Sequence, residues 1–262
     1  MVTPRSHWRL LLSPPSSGAE NMALDEALMD RARSTGEWVL RVYSWSSPTI
    51  SFGRNQSAVG RYDLDRIRAR GLAVVRRPTG GRAILHHREV TYGVTAPVSA
   101  AGDLRESYAR INSLLVIALA SIGVSTNVAA PERRPASAPG VVPCFAEPSA
   151  GELTVDGRKI AGSAQYRVDG ALLQHGSILV QDDQSSLADL TLDAGMAIPA
   201  PATLEGILHH VPPVSAVAHA LFDAVRSTED TAADVLVLEP EFRARASALV
   251  VRYLDDAWTW RR

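Results

Sequence analysis

The chain contains one cysteine, Cys144, and one lysine, Lys159, fifteen residues further on. The other 26 of its 27 cationic side chains are arginine. A guanidinium is effectively always protonated, whereas an ammonium can release its proton, so Lys159 offers chemistry that no arginine here supplies. Cys144 sits in residues 143–149 (PCFAEPS), a proline-bounded stretch that leaves a thiol accessible, and a cation beside it would favour the nucleophilic thiolate. Each residue also has an ordinary reading. A free cysteine is commonly a small buried hydrophobe, and a lysine next to an Asp-Gly pair is commonly a solvated turn residue.

Residues 76–87 (RRPTGGRAILHH) place Gly80 and Gly81 after a strand, with Arg76 and Arg82 on either side. Glycines let a backbone approach a ligand closely, and arginines hold carboxylate or phosphate. The spacing fits neither Gly-Lys-Ser/Thr phosphate loops nor G-x-G-x-x-G, and an ordinary hairpin turn fits the composition equally well. His86, His87 and His175 could each act as a base, a ligand contact or a satisfied strand histidine, the last suiting His87 best. His209 and His210, at a helix end before two prolines, read as structural. No H-E-x-x-H or Cys/His ligand spacing occurs, so no metal site is expected.

Composition narrows the class. The 262 residues are 46% hydrophobic, ample for a substantial core, and 27 Lys plus Arg against 28 Asp plus Glu leave a net charge of -1. No general electrostatic grip on nucleic acid or membrane follows from that balance. No apolar run approaches membrane-spanning length and the N-terminal apolar stretch is too short for a secretory signal, so a soluble, cytoplasmic protein is expected. A lone cysteine can form no internal disulfide.

The elements that must position these residues are legible in outline. Residues 7–12 are strand-like, and Met22, Leu24 and Leu28 with Ala19, Ala23 and Ala27 predict a helix over 16–33, stopped by Gly36. Strands are expected over 38–45, 48–54, 72–77 and 83–97, with a short helix over 63–71. Asp103 and Glu106 have capping-box spacing at the head of an amphipathic helix that ends at Gly123. Residues 131–143 carry four prolines and read as a surface loop. Asp156-Gly157 and Asp169-Gly170 separate 151–155, 158–168 and 171–180, the pattern of a three-stranded antiparallel meander. Helices follow over 203–210 and 215–227, then a strand at 235–238 and a last helix from about 240. Strand runs and helices without regular alternation argue for one α+β domain, and against Rossmann and TIM-barrel folds.

On these residues the chain resembles the lipoate-protein ligase and biotin-ligase catalytic-domain superfamily. The resemblance rests on residues 21–28 (NMALDEAL), 76–87 (RRPTGGRAILHH), 157–165 (GRKIAGSAQ) and 174–180 (QHGSILV), which follow in the family's order. Within it the chain is most similar to octanoyltransferases that move octanoyl from acyl carrier protein to a lipoyl-domain lysine, especially the branch acting on the glycine cleavage H protein. Their cysteine lies in a motif similar to 143–153 (PCFAEPSAGEL), upstream of the lysine.

The resemblance implies a mixed, mainly antiparallel β-sheet flanked by helices, forming a single catalytic domain over 1–262 without a C-terminal accessory domain. It implies that Cys144 and Lys159 are catalytic, that Arg76, Gly80, Gly81, Arg82 and His86 line an acyl tunnel, and that Gly162, Ser163, Ala164 and His175 complete the pocket. Ligases of the superfamily typically read Gly-Gly-Gly-Ala where this chain has Gly80-Gly81-Arg82-Ala83, a departure that weakens adenylate binding. The expected activity is therefore cofactor-free octanoyl transfer through a Cys144 thioester, with octanoyl-acyl carrier protein as donor and a lipoyl-domain protein such as the glycine cleavage H protein as acceptor. ATP-dependent lipoate ligation and a non-catalytic lipoyl-binding role are the alternatives.

Overall fold

Strand β1 (Trp8–Leu12) leads into helix α1 (Gly18–Thr35), which begins where Ser17 and Glu20 close a capping box and stops at Gly36 in the left-handed conformation. The computed structural model describes residues 6–130, 144–145, 148–192 and 199–261. The proline-rich stretch 131–143 lies outside them. Next come β2 (Trp38–Tyr43), β3 (Thr49–Phe52), α2 (Leu64–Ala69), β4 (Ala73–Arg76), β5 (Ile84–His86), β6 (Glu89–Pro97), α3 (Val98–Ala101) and α4 (Leu104–Ser121). The capping box at Asp103 and Glu106 forms as its spacing predicts. β7 (Asn127–Val128), β8 (Leu153–Val155), β9 (Arg158–Val168) and β10 (Ala171–Leu179) precede a 3-10 helix (Gln184–Leu190). The chain then adds α5 (Leu204–Leu208), α6 (Val214–Thr228), β11 (Asp234–Val235), α7 (Pro240–Leu254) and α8 (Asp256–Thr259).

The fold is α+β. A mixed eight-stranded sheet runs β11-β1-β2-β6-β10-β9-β8-β7, parallel where β1 meets β11 and β2 and antiparallel elsewhere. The meander β8-β9-β10 forms as expected. Both Asp-Gly pairs hold positive φ at both residues, the conformation of two-residue hairpins whose twist matches that of the strands. A smaller sheet runs β4-β3-β5. The expected single strand over 83–97 is instead two, in different sheets, broken at His87 and Arg88. Both break residues are exposed, so His87 is not the satisfied strand histidine anticipated; its Nδ1 stands 3.6 Å from Asp183. Of the apolar run at 235–238 only Val235 falls within β11, with one further bond from the Leu236 N–H to the Leu10 carbonyl.

One face of the large sheet carries the main apolar core against α4 and α6, including Trp8, Trp38, Leu115 and Leu221. The other face packs on α1 and looks toward the small sheet. Strand alternation sorts β10 between them. Gln174 faces α4 and donates to Asn112, while His175 faces α1 and meets Asp25. Among the described residues no helix is long and apolar enough to cross a membrane.

Candidate active site

On the α1 face, the loop after β4 and strands β9 and β10 enclose a cavity of about 360 Å³. Its inner end is closed by buried Met22, Tyr43, Trp45, His86, Thr91 and Ser177, and its outer end by Arg82, Ser149 and Ala150, which reach solvent. Cys144 and Lys159 stand on its wall.

Lys159 reaches this wall because β9 is irregular. Thr154 pairs with Lys159, but the preceding residue, Leu153, pairs with Ala161, so β9 carries one residue more than β8 can match. Such a bulge re-aims the side chains beside it. Ile160 and Ala161 both join the α4-side core, while Lys159 crosses to the face of Gly162. Gly162 makes the room: a Cβ there would stand 2.9 Å from Lys159 Cε and 3.1 Å from Nζ. The lysine is thus buried at 2% exposure, not a solvated turn residue.

Three acceptors surround Nζ. It donates to the Cys144 carbonyl oxygen at 2.7 Å and to Cys144 Sγ at 3.3 Å, and pairs with Glu152 Oε2 at 2.7 Å. The ring of buried Phe145 lies 4.9 Å from it, and the Cys144 N–H donates to the Ala83 carbonyl, fastening the thiol's segment to the cavity loop.

Arg77 holds that loop from behind. Its buried guanidinium donates to the carbonyls of Ser51, Gly80 and Arg82 and to the Ser51 hydroxyl, all neutral oxygens. Gly53 lets the loop seat closely, since a Cβ there would lie 2.1 Å from the Gly81 carbonyl oxygen.

Two hydroxyl, imidazole and carboxylate chains brace the remaining walls. Burial alone would push the Asp25 carboxyl up, but Arg41 at 2.6 Å and His175 outweigh it and hold it below the ordinary carboxylate range. Asp25 therefore accepts from His175 Nδ1 at 3.1 Å. Burial holds the His175 imidazole below its ordinary value, so its neutral Nε2 accepts from the Thr79 hydroxyl at 2.6 Å. In the second chain His86 stacks on Trp45 at 4.0 Å, donates from Nδ1 to Glu89 at 2.6 Å and meets the Ser51 hydroxyl at 2.7 Å. Burial again works against the charge of Glu89, but His86, Thr91 and Ser177 outweigh it and lower its pKa.

Of the positions expected to form the site, Cys144, Lys159, Gly81, Arg82, His86, Gly162, Ser163, Ala164 and His175 line this cavity. Arg76 and Gly80 do not. Arg76 is fully buried elsewhere, its guanidinium donating to the carbonyls of Gly53, Gln56 and Thr259; as the last residue of β4 it points to the opposite side from Arg77. Gly80 contributes its carbonyl to Arg77. Sequence reasoning missed Arg77, Glu152 and the α1 and β2 residues. Glu152 left a signal, since the Asp156-Gly157 turn sets a hairpin register that brings positions 152 and 159 near each other. Among the described residues no three His, Cys, Asp or Glu side chains gather as metal ligands.

Comparison with known proteins agrees with this architecture. Residues 17–225 match the family described as "Lipoyl protein ligase A/B catalytic domain". "Octanoyltransferase LipM" of Kyrpidia tusciae is 39% identical over 277 aligned positions, covering 97% of this chain and 99% of that protein. The protein of the same name from Symbiobacterium thermophilum is 45% identical over 183 positions, 68% of this chain and 67% of that protein. Among solved structures, lipoate-protein ligase A bound with ATP superposes with a TM-score of 0.79 at 22% identity, over 97% of this chain and 98% of that one. A chain from the structural analysis of a "bi-partite lipoate protein ligase and its E2 lipoyl domain from Thermoplasma acidophilum" gives 0.72 at 22% identity, over 97% and 96% of the two chains. The fold is thus that of the ligases, the long sequence match lies with proteins named for octanoyl transfer, and the chain belongs to the lipoyl protein ligase A/B catalytic domain family.

Proposed function

We propose that this protein is an octanoyltransferase of lipoate biosynthesis that carries the octanoyl group as a thioester on Cys144. The observation that carries the reading is the Lys159 ammonium 3.3 Å from the only thiol of the chain, on the wall of a cavity of about 360 Å³. The identity to proteins named octanoyltransferase supports it.

In the first half, Cys144 Sγ attacks the carbonyl carbon of an octanoyl thioester on acyl carrier protein. The bond to the carrier's sulfur breaks, and the Cys144 proton passes by way of Lys159 to that departing sulfur. In the second half, the amine nitrogen of a lipoyl-domain lysine, such as that of the glycine cleavage H protein, attacks the new thioester. The bond to Sγ breaks, and a proton from the amine returns to Sγ through Lys159. The donor is already activated and the amide product is more stable than the thioester, so neither nucleotide nor metal is needed. Splitting the transfer lets two carrier proteins use one cavity in turn.

Intact-protein mass spectrometry after mixing with octanoyl-acyl carrier protein tests the reading. The octanoyl adduct should form on wild type, vanish with hydroxylamine and be absent from Cys144→Ala, which should also lose transfer. Full transfer by Cys144→Ala, or efficient lipoylation with ATP and pyrophosphate release in that variant, would replace this reading with the ligase alternative.

A further inference from the structure

Glu152 takes no bond-making part in the transfer just described, yet it is buried beside the reacting pair at 5% exposure. Its Oε2 accepts from the Ser149 N–H at 2.7 Å and pairs with Lys159 Nζ at 2.7 Å. A short turn between Ser149 and Glu152, closed by the Glu152 N–H on the Ser149 carbonyl, fixes the carboxylate before β8 begins. Nζ therefore has three acceptors, Glu152 Oε2, the Cys144 carbonyl and Cys144 Sγ, matching the three N–H groups that only an ammonium possesses. Two of the three are strong oxygen acceptors at short range. Satisfying both leaves the third N–H directed at sulfur.

We propose that Glu152 is a positioning residue that keeps Lys159 an ammonium and aims one of its N–H groups at Cys144 Sγ in both halves of the transfer. The inference rests on the reading of Cys144 as acyl carrier. Each half-reaction takes one proton from a nucleophile and delivers one to a departing sulfur. An ammonium that gives its proton to sulfur and recovers one from the nucleophile ends as it began, so the pair Lys159 and Glu152 returns unchanged after each step. The carboxylate also competes with a Cys144 thiolate for the same cation, which moderates the resting thiol's reactivity.

Other charged or titratable groups facing this cluster are Arg77 and Arg82 from the β4-β5 loop, His175 from β10, Tyr92 from β6 and Tyr108 from α4. Burial lowers the Arg77 guanidinium, though a guanidinium starts far above the working range, burial keeps His175 neutral, and burial pushes the Tyr92 phenol up to about 12 and Tyr108 higher still. The alkaline limb of a pH profile is therefore not theirs.

Glu152→Gln keeps the shape and removes the charge. We expect octanoyl transfer to fall more than tenfold and the alkaline limb of its pH profile to move to lower pH, because an ammonium without its counter-charge is lost sooner. Iodoacetamide alkylation of Cys144 at neutral pH, read without any substrate, should become faster by roughly tenfold, the equivalent of one pH unit. Glu152→Asp, which retains the charge one methylene further back, should shift both readouts in the same direction by less, and it carries the test if the Gln variant does not fold. A wild-type pH profile and alkylation rate in these variants would overturn the proposal, as would lost transfer accompanied only by a lower Tm. Faster alkylation in Glu152→Gln, in a protein whose wild type accepts no octanoyl, would support the Glu152 assignment while removing the octanoyl reading.

Discussion

Gly162 and Lys159 lie three residues apart on β9 yet share one face of it, and a side chain on the first would crowd the Cε of the second. Gly162→Ala would set a methyl 2.9 Å from that carbon and 3.1 Å from Nζ, so the lysine side chain must shift from the position that serves its three acceptors. A misplacement near 1 Å costs on the order of a hundredfold in rate. We expect transfer to fall at least tenfold with acyl carrier protein still bound, measured as steady-state turnover together with a binding titration. A fully active Gly162→Ala enzyme would show that the lysine's position is not critical.

Replacing Lys159 separates charge from proton transfer. Arginine keeps the positive charge but does not give up a proton, and alanine supplies neither. Both variants should lose about a hundredfold or more in transfer, the range of general acid-base contributions. Cys144 alkylation at neutral pH should slow in the Ala variant and stay near wild type in the Arg variant. Near wild-type transfer by Lys159→Arg would mean that fixed charge suffices.

The His175 and Asp25 pair predicts acid sensitivity in two steps. Burial keeps the folded-state His175 pKa below the 6.5 of the unfolded chain, so as pH drops through 6.5 the unfolded state takes up a proton that the fold refuses, and stability falls. Asp25, held below its ordinary 3.8, adds a second loss below that pH by the same sign. Differential scanning fluorimetry should show Tm declining from pH 7 to 5 in wild type and flat over that window in His175→Gln. A wild-type Tm that rises on acidification would contradict the neutral-imidazole assignment.

Arg76 should behave as a core residue. Removing its guanidinium takes a charged donor from the buried carbonyls of Gly53, Gln56 and Thr259, at about 1.5–3 kcal/mol for each such hydrogen bond. Arg76→Ala is expected to unfold at much lower urea while its remaining folded fraction keeps a near-normal KM for the octanoyl donor. Unchanged stability with a raised KM would restore Arg76 to the acyl tunnel.

What could be read from the residues was governed by how local the cause is. Helix α4 was legible because its capping box is complete within four residues, α1 because its apolar residues recur at helical spacing before Gly36, and the meander because two Asp-Gly pairs dictate their own turns. The cysteine and lysine stood out by number alone. Arg76 and Arg77 could not be told apart, since which of two neighbouring arginines faces a cavity depends on strand register set by other elements. The break between β5 and β6 was hidden because strand-forming residues continue through it, and only the competition of two sheets for the same run separates them. The partners of His175 lie far off in sequence, on α1 and after β4, where no local pattern joins them.

The unmatched residue in β9 makes chain length part of the active site. Removing Arg158 would let β8 and β9 form a regular ladder, turn Lys159 toward the α4 side and expel it from Cys144 without altering any functional side chain. The outer turn at Asp169-Gly170 has no such restriction, because β9 and β10 pair evenly up to it. In this hairpin, variation in loop length should therefore accumulate at the outer end, while the interval from Gly157 to Gly162 keeps a fixed count of residues whatever their identity.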